Sequence, residues 1–329
     1  MKINYALVGV LAAGALAGTI LARTVAEDDT KKSFSVSDGG TLKIEADRGA
    51  IEVKTSTSQN VEVEVLRKVE RGSETDAKEL LAAHVLTFNQ DGKNILVKGE
   101  LPGKWTSFRR GPNLSVKYIV SIPRNYSADL KTAGGDIVIA ELNGEGHYRT
   151  SGGNIKVGRG TGEISAKTSG GDIAVAGCDK SIDLETSGGS IKAAEIKGDA
   201  KARTSGGDIH LAKVGGVTDA HTSGGNIFAE KLMGTAQAST SGGNVKASFS
   251  KQPEGKCVFK TSGGNVELAL ADTVSIDVDA HTSGGTVKTE FATEGEAKHN
   301  RTSLKTKINN GGPLVVLQTS GGDVRIRKM

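Results

Sequence analysis

Nine copies of the tetrapeptide Thr-Ser-Gly-Gly open at Thr150, Thr168, Thr186, Thr204, Thr222, Thr240, Thr261, Thr282 and Thr319, and a degenerate Thr-Ala-Gly-Gly opens at Thr132. The interval is 18 residues six times, then 21 twice, then 37. A period of this length marks one small unit, unable to bury a face alone, that is stacked on copies of itself. No other feature of the 329-residue chain restricts its fold as strongly.

Counting each threonine as position 0, positions 5 and 7 are apolar between polar neighbours: Ile137 and Ile139, Ile155 and Val157, Ile173 and Val175, Ile191 and Ala193, Ile209 and Leu211. A second alternating stretch runs into the next threonine, with Ile164 and Ala166, Ile182 and Leu184, Ala200 and Ala202 on one face. Alternation with period two is the signature of a half-buried strand. Each unit therefore reads as two short strands and two corners. One corner is the Gly-Gly pair, expected to supply positive φ angles. The other carries Gly144, Gly162, Gly198, Gly216 and Gly234, preceded by a mostly apolar column, Leu142, Gly160, Cys178, Ile196, Val214 and Leu232, that would plug the bend from inside.

With only 4% aromatic residues and 45 glycines, the core must be built from small aliphatic side chains at close backbone approach. The expected fold is all-β: a parallel β-helix (β-solenoid) of about 18 residues per coil over residues 131–329. About ten coils would make a rod roughly 45 to 50 Å long at about 4.8 Å per coil. The column at position 4 tests the stacking, since in-register coils bring its side chains together. It reads Asp136, Asn154, Asp172, Ser190, Asp208, Asn226, Asn244, Asn265, and no two acids are neighbours. That favours in-register parallel stacking over an antiparallel meander, because adjacent like charges repel.

Residues 27–130 read as a mostly β capping segment, with strands near Thr41–Ala46, Ile51–Lys54, Val61–Val65, Ile95–Val97 and Leu114–Ile122. Ser73 and Asp76 form a capping-box-like start to one short helix. Such a segment would hide the first open sheet edge, and Arg325, Arg327 and Lys328 would protect the last strand by charge. Residues 1–26 read as a secretory signal: Met1 and Lys2, an uncharged apolar run from Ile3 to Ala22, and cleavage after Ala26. An uncleaved N-terminal anchor is the alternative, since about 20 apolar residues span a bilayer. Both readings export the chain to the periplasm or cell envelope, and the anchor would be its sole tie to a membrane.

The unit Thr-Ser-Gly-Gly-[Asn/Asp]-Ile-x-Val, with the lead-in Ile122-Pro123 and Asp129-Leu130, resembles the bacterial putative-adhesin β-strand-repeat family, the toast-rack domains. The resemblance implies an extracytoplasmic β-helix-like domain associated with envelope stress systems, with no catalytic or binding residues to carry over.

Other chemistries fit the residues less well. Asp136, Asp172 and Asp208 would lie two coils apart, about 9.6 Å, at the limit of inverting glycosidase geometry, yet a turn-capping role explains every copy. His221 and His281, about three coils apart, are too distant to share a metal, while His147, His210 and His299 fall elsewhere. Calcium binding of the nonapeptide kind has the wrong period, and an ice-binding face is excluded because the threonines are in phase with the buried residues. Cys178 and Cys257 fall in different inward columns and read as free buried thiols. A net charge of +4 with basic and acidic residues interspersed leaves no footprint for nucleic acid. No cofactor is expected. The one surface feature is position 6, where Lys156, Lys192, His210, Lys246, Lys288 and Arg325 form a discontinuous basic row for an anionic envelope polymer, lipid headgroups or an envelope protein. The leading expectation is a monomeric, non-catalytic envelope protein; a β-helix enzyme acting on polysaccharide is the alternative.

Overall fold

The computed structural model describes residues 24–102, 113–292 and 294–329. Most of the signal segment, residues 1–23, lies outside the described residues, as does the side chain of His299. The described residues are all-β apart from one helix, Glu74–Ala83, whose N-cap Ser73 accepts a hydrogen bond from the Asp76 amide.

Two sheets of 14 and 15 strands face each other, and the chain alternates between them. Ile155–Gly160 lies in the first sheet, Ile164–Lys167 in the second, and Ile173–Cys178 returns to the first. Pairing is parallel and in register: Ile155 faces Ile173, then Ile191, Ile209 and Ile227. The second sheet repeats this with Ile164, Ile182 and Ala200. Alternation sends Ile155 and Val157 inward and leaves Lys156 outside, so one apolar core runs between the sheets from Leu42 to Ile326. The plug column Leu142, Gly160, Cys178, Ile196, Val214 and Leu232 is buried throughout.

Glycine at the turns answers to proximity. Among the described residues the positive-φ glycines are Gly39, Gly49, Gly72, Gly92 and Gly311, none of them in a Thr-Ser-Gly-Gly turn, which corrects the expected conformational role. What the second glycine supplies is room: a Cβ on Gly153 would sit 2.2 Å from the Gly135 carbonyl oxygen, whereas one on Gly152 finds its nearest atom at 3.8 Å. The buried threonine uses that proximity. Thr150 Oγ1 donates to Gly135 O at 2.9 Å, Thr168 to Gly153 O at 2.9 Å and Thr186 to Gly171 O at 2.8 Å, and the pattern continues along the stack.

At the C-terminal end the layers leave sequence order. Leu314–Thr319 lies between Cys257–Lys260 and Ile276–Thr282, and Val324–Lys328 between Val266–Leu270 and Val287–Thr289. Thr319 accordingly donates to Gly264 O at 2.7 Å, and Thr282 to Gly322 O at 2.6 Å. The 37-residue interval is an excursion through Glu294–Asn300 and Ser303–Ile308, which run antiparallel beyond Ile276–Thr282 and close the second sheet. The last-strand reading of Arg325, Arg327 and Lys328 is therefore corrected. Val324–Lys328 is an interior strand, and Arg327 Nε meets Glu267 Oε1 at 2.6 Å.

The N-terminal end mirrors this. Thr41–Ala46 and Ala50–Ser56 stack in parallel on Ser127–Thr132 and Ile137–Ile139, with Ala46 opposite Thr132. Beyond them lie the later strands Asn94–Glu100 and Leu114–Pro123. Parallel pairing thus continues across residue 130, and twelve parallel strands in each sheet replace the expected ten. Antiparallel strands Ala26–Ser35, Asn60–Val69 and Val85–Asp91 close this end.

Candidate functional site

The turn acids are occupied by the backbone. Asp136 Oδ1 accepts from the Asn154 amide at 2.7 Å, Asn154 Oδ1 from Asp172 at 2.9 Å, Asp172 Oδ1 from Ser190 at 2.7 Å and Ser190 Oγ from Asp208 at 3.2 Å. The ladder continues through Asp208, Asn226, Asn244 and Asn265, then crosses to Asp323 and Thr286 in the displaced order. Every member but the last has a side-chain oxygen that accepts from the next amide, which is why Asp, Asn and Ser interchange. Even after the change of order no two acids adjoin.

The predicted row at position 6 lies outward on the first sheet. Its cations do not form an unbroken line. Ala174 separates Lys156 from Lys192, and Phe228 separates His210 from Lys246. Glu267 lies between Lys246 and Arg325, 3.9 Å from the Lys246 amine. Arg325 is 3.5 Å from Asp323, His210 lies 3.7 Å from Glu230, and Lys288 borders Arg325 at the sheet's end.

The remaining candidates disperse. Cys178 and Cys257 are buried and free, and burial raises both thiols. His221 Nδ1 pairs with Ser239 Oγ at 2.9 Å. The inserted layer puts His221 and His281 four strands apart, rather than about three. Among the described residues no cluster of three His, Cys, Asp or Glu could hold a metal ion. No helix among the described residues is long and apolar enough to cross a membrane.

The Toastrack DUF4097 family model matches residues 39–227 and 218–327. The chain belongs to this family. Among solved structures this toast-rack chain is similar to a putative adhesin from Parabacteroides merdae ATCC 43184, with 13% identity, 92% of this chain and 96% of that chain covered, and a TM-score of 0.39. It is also similar to a putative adhesin and a putative lipid binding protein, both from Parabacteroides distasonis ATCC 8503. The adhesin shows 14% identity, with 92% of this chain and 97% of that chain covered and a TM-score of 0.37. The lipid binding protein shows 11% identity, the same coverages and a TM-score of 0.36. No curated relative matches the sequence.

The toast-rack stack brings together a second set of cations, on the opposite sheet, that reading positions 4 and 6 misses. The residue before each repeat threonine points outward, and here Arg149 faces Lys131 on one side and Lys167 on the other. With Asp129, His147 and Ser165 they line a shallow cleft of about 230 Å³. The signal for them in the sequence is the column at position 17. A different polar group lies inside the N-terminal end: His84 is buried with its imidazole 3.8 Å from Asp47, near the buried Tyr118.

Proposed function

We propose that this chain is a non-catalytic, extracytoplasmic cell-envelope protein that presents the sides of a rigid β-solenoid, adhesin-like, as an interaction surface. In this reading about 18 residues make each coil, residues 131–329 form the repeat domain, and residues 27–130 cap it with further parallel layers closed by antiparallel strands. Export rests on the apolar run after Lys2 and the cleavage site after Ala26. The observation that carries the non-catalytic reading is the turn ladder. Asp136, Asp172 and Asp208, the acids best spaced for hydrolysis, each hold the amide of the next layer. A carboxylate so engaged, repeated at even intervals on a convex corner, is structural. The first-sheet cations Lys156, Lys192, His210, Lys246, Lys288 and Arg325 supply a broken row of attraction to an anionic envelope, weakened by salt. The test is turnover: incubation with acidic and neutral polysaccharides is expected to release no new reducing or unsaturated ends. Release that is lost in Asp172→Asn would overturn the reading in favour of a polysaccharide-active enzyme.

A further inference from the structure

Parallel in-register stacking sets a rule for charge on the outer faces, because each side chain lies about 4.8 Å from its equivalents above and below. Like neighbours at that distance destabilise the sheet. The second sheet mostly obeys. Glu45 is 3.2 Å from Lys98, Lys201 lies 3.7 Å from Asp183, and Arg203 pairs with Asp219. Between these neutralised stretches the rule is broken by three cations in succession, Lys131, Arg149 and Lys167. Lys167 is held by Glu185 at 2.9 Å. Among the described residues neither Lys131 nor Arg149 has a carboxylate within ion-pair distance, and both are exposed. His147 and Ser165 stand beside them in the adjoining outward row.

We infer that this column is a binding site for an anionic polymer strand, carrying a carboxylate or phosphate on each repeating unit, laid along the rod axis. The inference rests on the reading of the rod as an interaction surface and gives that surface a place and a ligand. Glu45 and Glu185 flank the three cations in the same column and Glu185 pairs with Lys167, yet the like-charged neighbours Lys131–Arg149 and Arg149–Lys167 cost the sheet stability that an external anion would restore. Arg149 offers a planar fork that engages a carboxylate or phosphate through two hydrogen bonds, and the lysines provide charge one layer to either side. The shape of the site selects a strand over a membrane. The cationic column is one residue wide and about 10 Å long, and Asp129 and Asp183 lie in the row beside it. A planar anionic bilayer would meet those acids together with the cations, whereas a single short strand over the three cations meets carboxylates only at the ends of the column, Glu45 and Glu185.

The experiment uses the purified full chain, titrated calorimetrically with oligogalacturonate, inorganic polyphosphate and phosphatidylglycerol-containing vesicles at 50 and 300 mM salt. Binding of at least one polymer, weakened at the higher salt, is expected, and the two polymers tell carboxylate from phosphate. Lys131→Glu with Arg149→Glu should weaken that binding at least tenfold, and the neutral Lys131→Gln with Arg149→Gln severalfold, with melting curves verifying the fold. Lys156→Glu with Lys192→Glu, on the other sheet, should change it less than threefold. Absence of binding to both polymers would overturn the inference, as would binding to vesicles alone or insensitivity to the second-sheet variants. Loss confined to the first-sheet variant would move the site to that face, and polysaccharide cleavage would sink the non-catalytic reading separately.

Discussion

The two glycines of one turn should respond unequally to the same methyl group. In Gly207→Ala the new Cβ would sit 2.2 Å from the Gly189 carbonyl oxygen, backbone that cannot swing aside, while in Gly206→Ala the nearest atom, Gly188 O, is 3.3 Å away. Relieving the first clash requires the two layers to part by about 1 Å at the corner, far enough to forfeit attractive contact. Of the hydrogen bonds that join the two turns, three flank the clash: Thr204 Oγ1 to Gly189 O at 2.8 Å, the Asp208 amide to Ser190 Oγ at 3.2 Å, and Ile191 N to Asp208 O at 2.9 Å. At about 1 kcal/mol net for each, the loss is about 3 kcal/mol. Reduced freedom of the unfolded chain returns about 0.4–1 kcal/mol, leaving Gly207→Ala destabilised by roughly 2–3 kcal/mol. For Gly206→Ala a shift of a few tenths of an ångström suffices, and the same entropy gain holds the change within about 1 kcal/mol. Urea unfolding followed by circular dichroism measures both. Equal midpoints for the two variants would refute the argument that proximity, rather than turn conformation, requires the second glycine.

Asn226→Asp places an acid next to Asp208, whose Oδ1 now accepts from the Asn226 side chain at 3.2 Å. Two adjacent carboxylates raise each other's folded-state pKa above the unfolded value, so the penalty is absent at low pH and develops as pH rises through the carboxylate range, reaching about 1–2 kcal/mol at neutrality. Melting temperatures of variant and parent at pH 3.5 and pH 7 check this, and a difference independent of pH refutes the coupling. His84 titrates in the opposite sense: burial, aided by Arg67 and Arg48 and opposed by Asp47, lowers its pKa to about 4. The unfolded chain then takes up a proton first as pH falls below about 6.5. Stability is whole above that value and is lost toward pH 4, by up to about 3 kcal/mol. His84→Gln should flatten that part of the stability profile, and an unchanged slope would assign it to other groups.

Local pattern disclosed the inside and outside of almost every strand, because period-two alternation is decided by neighbouring residues such as Ile155, Lys156 and Val157. Layer order is a different kind of fact. The spacing from Thr261 to Thr282 equals that from Thr240 to Thr261, yet the first pair is separated by the inserted layer and the second is not. Nothing near either threonine distinguishes them. The layer at Thr41–Ser56 escaped notice because its turn, Ala46-Asp47-Arg48-Gly49, keeps only the second glycine. As for the site, Lys131, Arg149 and Lys167 are unremarkable one by one. Their proximity exists only once the layers are stacked.

Translation order gives the inserted C-terminal layer a further consequence. The strands at Ile276–Thr282 and Val287–Thr289 leave the ribosome well before Leu314–Thr319 and Val324–Lys328, which must come to rest beneath them. A rod assembled by simple winding would finish one coil at a time as it emerged. This one cannot seat Ile276–Thr282 and Val287–Thr289 until the later pair has been made, and that pair acts as a keystone driven in behind a stone already laid.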